Sequence, residues 1–379
     1  MRRSAAITIA MLAPLAAAQQ WKVQYFYDEA RSTLTLEDLA FPSAQRGIAV
    51  GTILDQASGK PKFVSLTSDD GGANWSMETI KEHPRSLFFL NDSLGWMVTD
   101  NGIWANEAGR GWLKVAEQKK PDRKLANPPP GGLILRVWFL DPKHGFAVGL
   151  QKTMLETHDG GRTWTPVAEA AKPEANPSFT AYTQIAFEGQ KVGMITGGAT
   201  PPRPGDSNQL PAWLEPERAV KRTQVPNLTL LLQTLDGGAT WQSSTAPLFG
   251  VITSLHLAGT DGLAVMGFNE SFEWPSEVMR LNLSNGSSVQ SFRQKDRRVV
   301  DVVLFAGPRA FLAAVEPPGQ LNSAPIPGKV KMLTSTNLSE WTDMPVDYKA
   351  VARSLVLAGP DAEHLWAATD TGMILKMVP

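Results

Sequence analysis

Carboxylates, hydroxyls and indoles recur in this chain at one fixed spacing, and thiols are missing altogether. Three stretches read S/T-x-D-x-G-x-x-W: Ser68 to Trp75 with Asp70 and Gly72, Thr157 to Trp164 with Asp159 and Gly161, and Thr234 to Trp241 with Asp236 and Gly238. A carboxylate set between a hydroxyl and two glycines can bond its own backbone, and glycine supplies the positive φ of a tight turn. The indole then opens a returning strand and packs over the hairpin. This is the chemistry of a turn, not of a reaction. A fourth copy, Ala105 to Trp112, is eroded: Glu107 stands for the Asp, and Trp112 is kept. Relics remain at Asn282 to Val289 and at Ser335 to Trp341.

Reactive groups elsewhere form no recognisable set. Without Cys there are no disulfides, thiolate metal sites or thiol nucleophiles. The five His (83, 144, 158, 256, 364) lie scattered along the chain, with no spacing that suggests metal ligands. No phosphate loop, nucleophile elbow or dinucleotide fingerprint is present, so no cofactor and no catalytic residue is expected. The net charge of −1 lacks the basicity of nucleic-acid binders. Two carboxylates, Asp38 and Asp301, could be offered as a glycosidase pair, but the repeat count places them two blades apart.

The elements that carry these groups are short strands. Gly47-Ile48-Ala49-Val50-Gly51, Gly95-Trp96-Met97-Val98 and Gly145-Phe146-Ala147-Val148-Gly149 precede the turns, with looser copies at Phe311 to Ala314 and Leu365 to Ala368. Each follows another apolar strand such as Val137-Trp138-Phe139-Leu140. Four strands per repeat, with the Asp turn between the third and fourth, make a propeller blade. The last repeat stops at a third strand, Met373 to Met377, while Trp21 to Phe26 reads as an orphan fourth strand. Pairing the two closes a ring and leaves no free sheet edge. The expectation is an all-β, seven-bladed β-propeller over residues 19–379, with helical pattern only at residues 212–222.

These residues resemble the Asp-box or BNR repeat superfamily. More narrowly, G-F-A-V-G followed by M-L-E-T-H-D-G-G-R-T-W, Gly145 to Trp164, resembles the photosystem II stability/assembly factor family. That resemblance implies a non-enzymatic, chaperone-like propeller that binds a photosystem subunit during assembly. Sialidases and some endoglucanases share the Asp turns, which therefore argue fold and not function. A carbohydrate-active propeller, hydrolase or lectin, is the alternative reading.

Residues 1–18 read as a signal peptide: Arg2-Arg3, an apolar run too short to span a bilayer, and a small-residue cleavage site ending at Ala18. The expectation is export to the periplasm or beyond, with no further span and another envelope or membrane protein as partner. Candidate binding groups fall on the face opposite the Asp turns. A basic sector gathers Arg293, Lys295, Arg297, Arg298, Lys349, Arg353 and Arg85, and Lys152 lies in a short loop three blades away. An acidic and aromatic loop runs from Phe268 to Glu277. A Pro-rich insertion in blade 4, residues 197–228, carries Trp213, Arg218 and Arg222. Aligned first strands put Asp38, Ser86, Arg136, Gln184, Ser254, Asp301 and Ser354 at the mouth of the central channel, as a ligand site or as wetted lining.

Overall fold

A computed structural model describes residues 19–107, 111–118, 132–200, 226–268, 272–317 and 326–379. They form seven antiparallel sheets, each a four-strand meander, with one extra short strand in blade 6. Blade 1 comprises Ser32–Ala40, Gly47–Asp55, Pro61–Ser68 and Ser76–Ile80; blade 2, Pro84–Asn91, Leu94–Thr99, Gly102–Glu107 and Gly111–Glu117. Blade 3 comprises Ile134–Phe139, Gly145–Gly149, Thr153–Thr157 and Thr165–Pro166; blade 4, Thr180–Glu188, Val192–Ala199, Asn227–Thr234 and Gln242–Leu248. Blade 5 comprises Val251–Ala258, Asp261–Gly267, Ser276–Asn282 and Ser287–Phe292; blade 6, Arg298–Phe305, Arg309–Val315, Gly328–Ser335 and Thr342–Met344. Blade 7 takes Leu355–Asp361, His364–Thr369 and Met373–Val378 from the end of the chain and Gln20–Phe26 from its beginning.

The expected closure is present. Gln20 pairs with Val378 and Phe26 with Met373, antiparallel. Trp21 is buried among Val330, Met332, Met344 and Leu375. Its amide donates to the carbonyl of Pro345 at 2.8 Å, and its own carbonyl accepts from the Asp347 amide at 2.8 Å, so the closing strand is also pinned to blade 6. The second strands are buried on both faces, which is why Gly145–Gly149 and Arg309–Val315 read as apolar runs without alternation. Fourth strands such as Ser76–Ile80 face solvent and are polar. Helix is limited, among the described residues, to the 3-10 turns Ala168–Ala171 and Pro177–Phe179. The pattern at 212–222 and Trp213, Arg218 and Arg222 lie outside the described residues. The ladder of blade 4 runs to Ala199 opposite Leu228, so both ends of the 197–228 segment belong to strands.

The Asp turns behave as their chemistry requires. In blade 1 the Gly72 amide donates to Ser68 Oγ (2.8 Å), Ser68 Oγ donates to Asp70 Oδ1 (2.9 Å), and the Asn74 amide donates to Asp70 Oδ1 (2.9 Å). The same three bonds recur around Thr157/Asp159 and Thr234/Asp236. These bonds pull the Asp70 and Asp159 carboxyls down to about 2, and lower that of Asp236.

Their indoles do more than cap a hairpin. Trp366, from the second strand of blade 7, stacks on Phe41 of blade 1 at 3.7 Å and donates its Nε1–H to the Gly71 carbonyl at 3.1 Å. Trp75 meets Phe41 edge-on. Two seams on, the pattern repeats: Trp96 of blade 2 stacks on Phe139 at 3.5 Å and donates to the Gly160 carbonyl at 3.0 Å, with Trp164 edge-on. At the next, Phe146 of blade 3 stacks on Phe187, with Trp241 edge-on to both. A Cβ at Gly238 would lie 2.3 Å from Phe146 Cζ, and that residue's φ is +90°, so glycine is required there by conformation and by space. The motif is thus an inter-blade clasp. The equivalent second-strand positions facing the eroded turns of blades 2, 5 and 6 are Ile48, Met194 and Leu263, none aromatic.

Candidate binding face

The innermost strands of blades 1 to 6 share a register shift near their starts: Leu36/Asp38, Pro84/Ser86, Ile134/Arg136, Tyr182/Gln184, Ile252/Ser254 and Val299/Asp301. The polar residue expected at the channel mouth follows the shift each time. Such a bulge bends the strand and re-aims a side chain. Here it turns four of them, Asp38, Ser86, Ser254 and Asp301, onto neighbouring blades. Asp38 Oδ2 accepts from the Leu87 amide of blade 2 (2.8 Å), Ser86 Oγ donates to the Leu135 carbonyl of blade 3 (2.8 Å), and Asp301 Oδ2 accepts from the Leu357 amide of blade 7 (2.7 Å). The second oxygens are also engaged, Asp38 Oδ1 by the Leu39 amide and Asp301 Oδ1 by Ser254 Oγ. Burial pushes both carboxyls up, opposed at Asp38 by the Arg136 charge and at Asp301 first by the Ser254 hydroxyl and the Leu357 amide. These groups lace the first strands together. Gln184 is half-buried at the equivalent bulge.

Outside the ring, the loops of blades 5 and 6 gather aromatics and cations. Phe272 packs against Phe268 and Phe249, and the Arg293 guanidinium lies 3.9 Å above the Trp274 ring and 3.7 Å from Glu277. Lys295 pairs with Glu273. Arg297 is nearly buried and bonds Asp296 (2.6 Å) and Asp343 (3.1 Å). Arg298 donates to the Arg353 carbonyl, which joins blades 6 and 7, while the Arg353 side chain pairs with Asp370 at 2.9 Å. Arg85 pairs with Asp100 at 2.6 Å, over on blade 2. The basic sector therefore consists mostly of cations that already hold a carboxylate. Lys349 is exposed and has no ion pair among the described residues, and it follows Tyr348, which is 82% exposed. Beside them a groove of about 340 Å³ runs along the outer edge of blade 6, lined by Val330, Lys331, Met344, Val346 and Tyr348.

Two expectations change. Lys152 is no surface cation: it is buried, its ammonium donates to the carbonyls of Ala171 and Pro173, and burial lowers its pKa. The His are not all scattered either, since strand pairing brings His144 and His158 to the same carboxylate, Glu156. A signal for this was available in Glu156-Thr157-His158, where residues two apart share one face of a strand. His144 just before the paired strand completed it. Both partners had to be registered across the hairpin before the group could be seen.

Fold and face together define a closed seven-bladed β-propeller whose box turns serve as clasps on one side and whose opposite side carries the variable loops. Within that class the chain resembles the photosystem II assembly factor propellers. The family described as photosynthesis system II assembly factor YCF48 matches residues 124–200, which span blade 3 and the first half of blade 4. The chain is 36% identical over 76 residues to the chloroplastic photosystem II stability/assembly factor HCF136 of Oryza sativa subsp. japonica, covering 19% of this chain and 18% of that one. It is 28% identical over 159 residues to the photosystem II assembly protein Ycf48 of Thermosynechococcus vestitus, 38% of this chain and 44% of that one. The matches thus span less than half the length of these curated relatives. Among solved structures, YCF48 from Cyanidioschyzon merolae superposes with a TM-score of 0.57 at 14% identity, over 96% of this chain and 99% of that one. YCF48 bound to D1 peptide gives 0.56 at 14% identity, over 93% and 99%. At that identity the likeness is one of fold.

Proposed function

We infer that this chain is an exported, non-enzymatic binding propeller that docks a segment of another envelope or membrane protein, as an assembly scaffold. The observation that carries this reading is a pair of features on the loop face: in blade 5 the packed rings of Phe249, Phe268 and Phe272 with Arg293 over Trp274, and in blade 6 the exposed Tyr348 and Lys349 beside their groove. Aromatic anchors with a charged rim are what a protein interface is built from. The bonded carboxylates of the inner ring support the non-enzymatic half of the reading, because Asp38 and Asp301 spend their oxygens on the fold itself. Among similar structures, YCF48 bound to D1 peptide lends the analogy that a propeller of this shape can hold a polypeptide. Among the described residues no helix is long and apolar enough to cross a membrane. Export rests on residues 1–18, which lie outside the described residues, and N-terminal sequencing of the protein from its host tests it: cleavage after Ala18 is expected.

The docking claim is tested by capture from envelope extracts at low and moderate salt. Lys349→Glu with Arg353→Glu should reduce capture of a specific partner and flatten its salt dependence, since rim charges act through steering. Lys143→Glu, on the exposed turn of the opposite face, should leave capture unchanged. Equal losses from both variants, or none from either, would overturn the assignment.

A further inference from the structure

The structure holds one cluster that neither the clasp nor the docking face uses. His144 ends the turn between the first two strands of blade 3, and Glu156 and His158 flank Thr157 at the end of the third strand. Ladder partners Gly145 and Thr157 set the register, so His144 and His158 lie across from each other. Both Nε2 atoms point at one oxygen: Glu156 Oε1 is 2.8 Å from His144 and 3.4 Å from His158. The two imidazoles stack with centroids 4.7 Å apart, and the three donor atoms lie within 4.8 Å of one another. Asp141, whose carboxylate accepts from the amides of Lys143 and His144 at 2.7 and 2.8 Å, adds negative charge beside the group.

We propose that His144, Glu156 and His158 form a site for a divalent transition-metal ion of the Zn²⁺ class. Two imidazole nitrogens and a carboxylate are the donor set such ions take, with about four ligands in tetrahedral array. Bonds of about 2.0–2.1 Å imply ligand–ligand edges of roughly 3.3 Å, so the His158–Glu156 separation already fits and His144 must withdraw by a few tenths of an ångström. The hairpin presets that geometry, because two ligands stand two apart on one strand and the third is on its neighbour. The fourth position faces solvent beside the exposed His158, open to water or to a donor from another molecule. An ordinary cation-and-carboxylate pair would have sufficed to hold this turn. A second imidazole aimed at the same oxygen is what points to an ion.

The test is titration of the chelator-treated full chain, carrying no polyhistidine tag, with Zn²⁺ and separately with Co²⁺. One equivalent should bind, with a Co²⁺ visible spectrum of four-coordinate intensity. His158→Ala, at the exposed ligand, should weaken binding by roughly tenfold or more, the scale that even outer-shell losses reach. His144→Ala and Glu156→Gln should do the same, with far-ultraviolet circular dichroism confirming that each is folded. His364→Ala, a histidine paired with Asp361 on another blade, should bind as the parent does. Should a ligand variant not fold, the Co²⁺ spectrum of the parent and the His158→Ala affinity decide. Absence of stoichiometric binding, or binding that survives His158→Ala unchanged, overturns the site.

Discussion

The two faces of this propeller spend their polar groups in opposite ways. On the face of the Asp turns, carboxylates and hydroxyls bond their own backbone, and glycines give room to an aromatic ring from the preceding blade. On the loop face, cations and carboxylates meet each other at the surface, and the aromatics are left half-buried or, at Tyr348, exposed. The first arrangement fixes one blade against the next, and the second leaves groups that a partner can compete for. The contrast also runs around the ring. The three intact turns, in blades 1, 3 and 4, receive Trp366, Trp96 and Phe146, whereas the eroded turns of blades 2, 5 and 6 face Ile48, Met194 and Leu263. In blades 5 and 6, where the preceding blade offers no ring, a buried leucine of the turn, Leu283 or Leu338, packs in the same cluster as Met194 or Leu263 instead.

Opening the ring should have the largest effect. Removing residues 19–27 withdraws Trp21 from its cluster and exposes the edge of Met373–Val378. Cooperative thermal unfolding should be lost or shifted far down; an unchanged melt would contradict closure.

The clasps come next. Trp241→Ala should cost about 3–5 kcal/mol in urea unfolding, the range for losing a large buried aromatic, and Trp164→Ala, whose indole is part-buried, about 3 kcal/mol. Trp112→Ala, in the eroded turn where the indole meets only Phe89 edge-on among the rings described, should cost clearly less. Similar losses at all three would break the comparison between intact and eroded turns.

The pH dependence separates the turns from the inner ring. Asp70 and Asp159 titrate near 2 in the folded chain against an ordinary 3.8. Their contribution is therefore complete above about 4 and is lost as the pH falls through 2. Asp38 and Asp301 are shifted up by burial, so their contribution runs the other way: complete below 3.8 and lost as the pH rises through their folded values. Asp70→Asn with Asp159→Asn should flatten the acid limb of a stability profile, and Asp301→Asn should not. Flattening by both would dissolve the distinction.

Much of the architecture was legible along the chain, and the reason is local. Ser68 to Trp75 is a turn whose bonds close within seven residues, and Trp21 to Phe26 declared itself a fourth strand by lacking the other three. The inner ring was half legible. Asp38 and Asp301 aligned as polar positions, but nothing nearby says that a bulge turns them onto Leu87 and Leu357, each about fifty residues away. The clasp, the carboxylates that hold Arg297 and Arg353, and the His144–Glu156–His158 group share that cause. Each depends on the register between strands, or on the blade next door. Lys152 looked like a loop cation because its two carbonyl partners come from a 3-10 turn and the segment after it.

The loop face carries the smallest expected cost in stability and the central claim. A photo-crosslinking residue placed at Tyr348, beside the blade 6 groove, and another placed at Lys143 on the opposite face test it directly in host envelope extracts. The account predicts a discrete, competable adduct from position 348 and none from position 143, with both proteins melting as the parent does. An adduct confined to position 143, or equal diffuse labelling from both, would contradict the assignment of binding to the loop face.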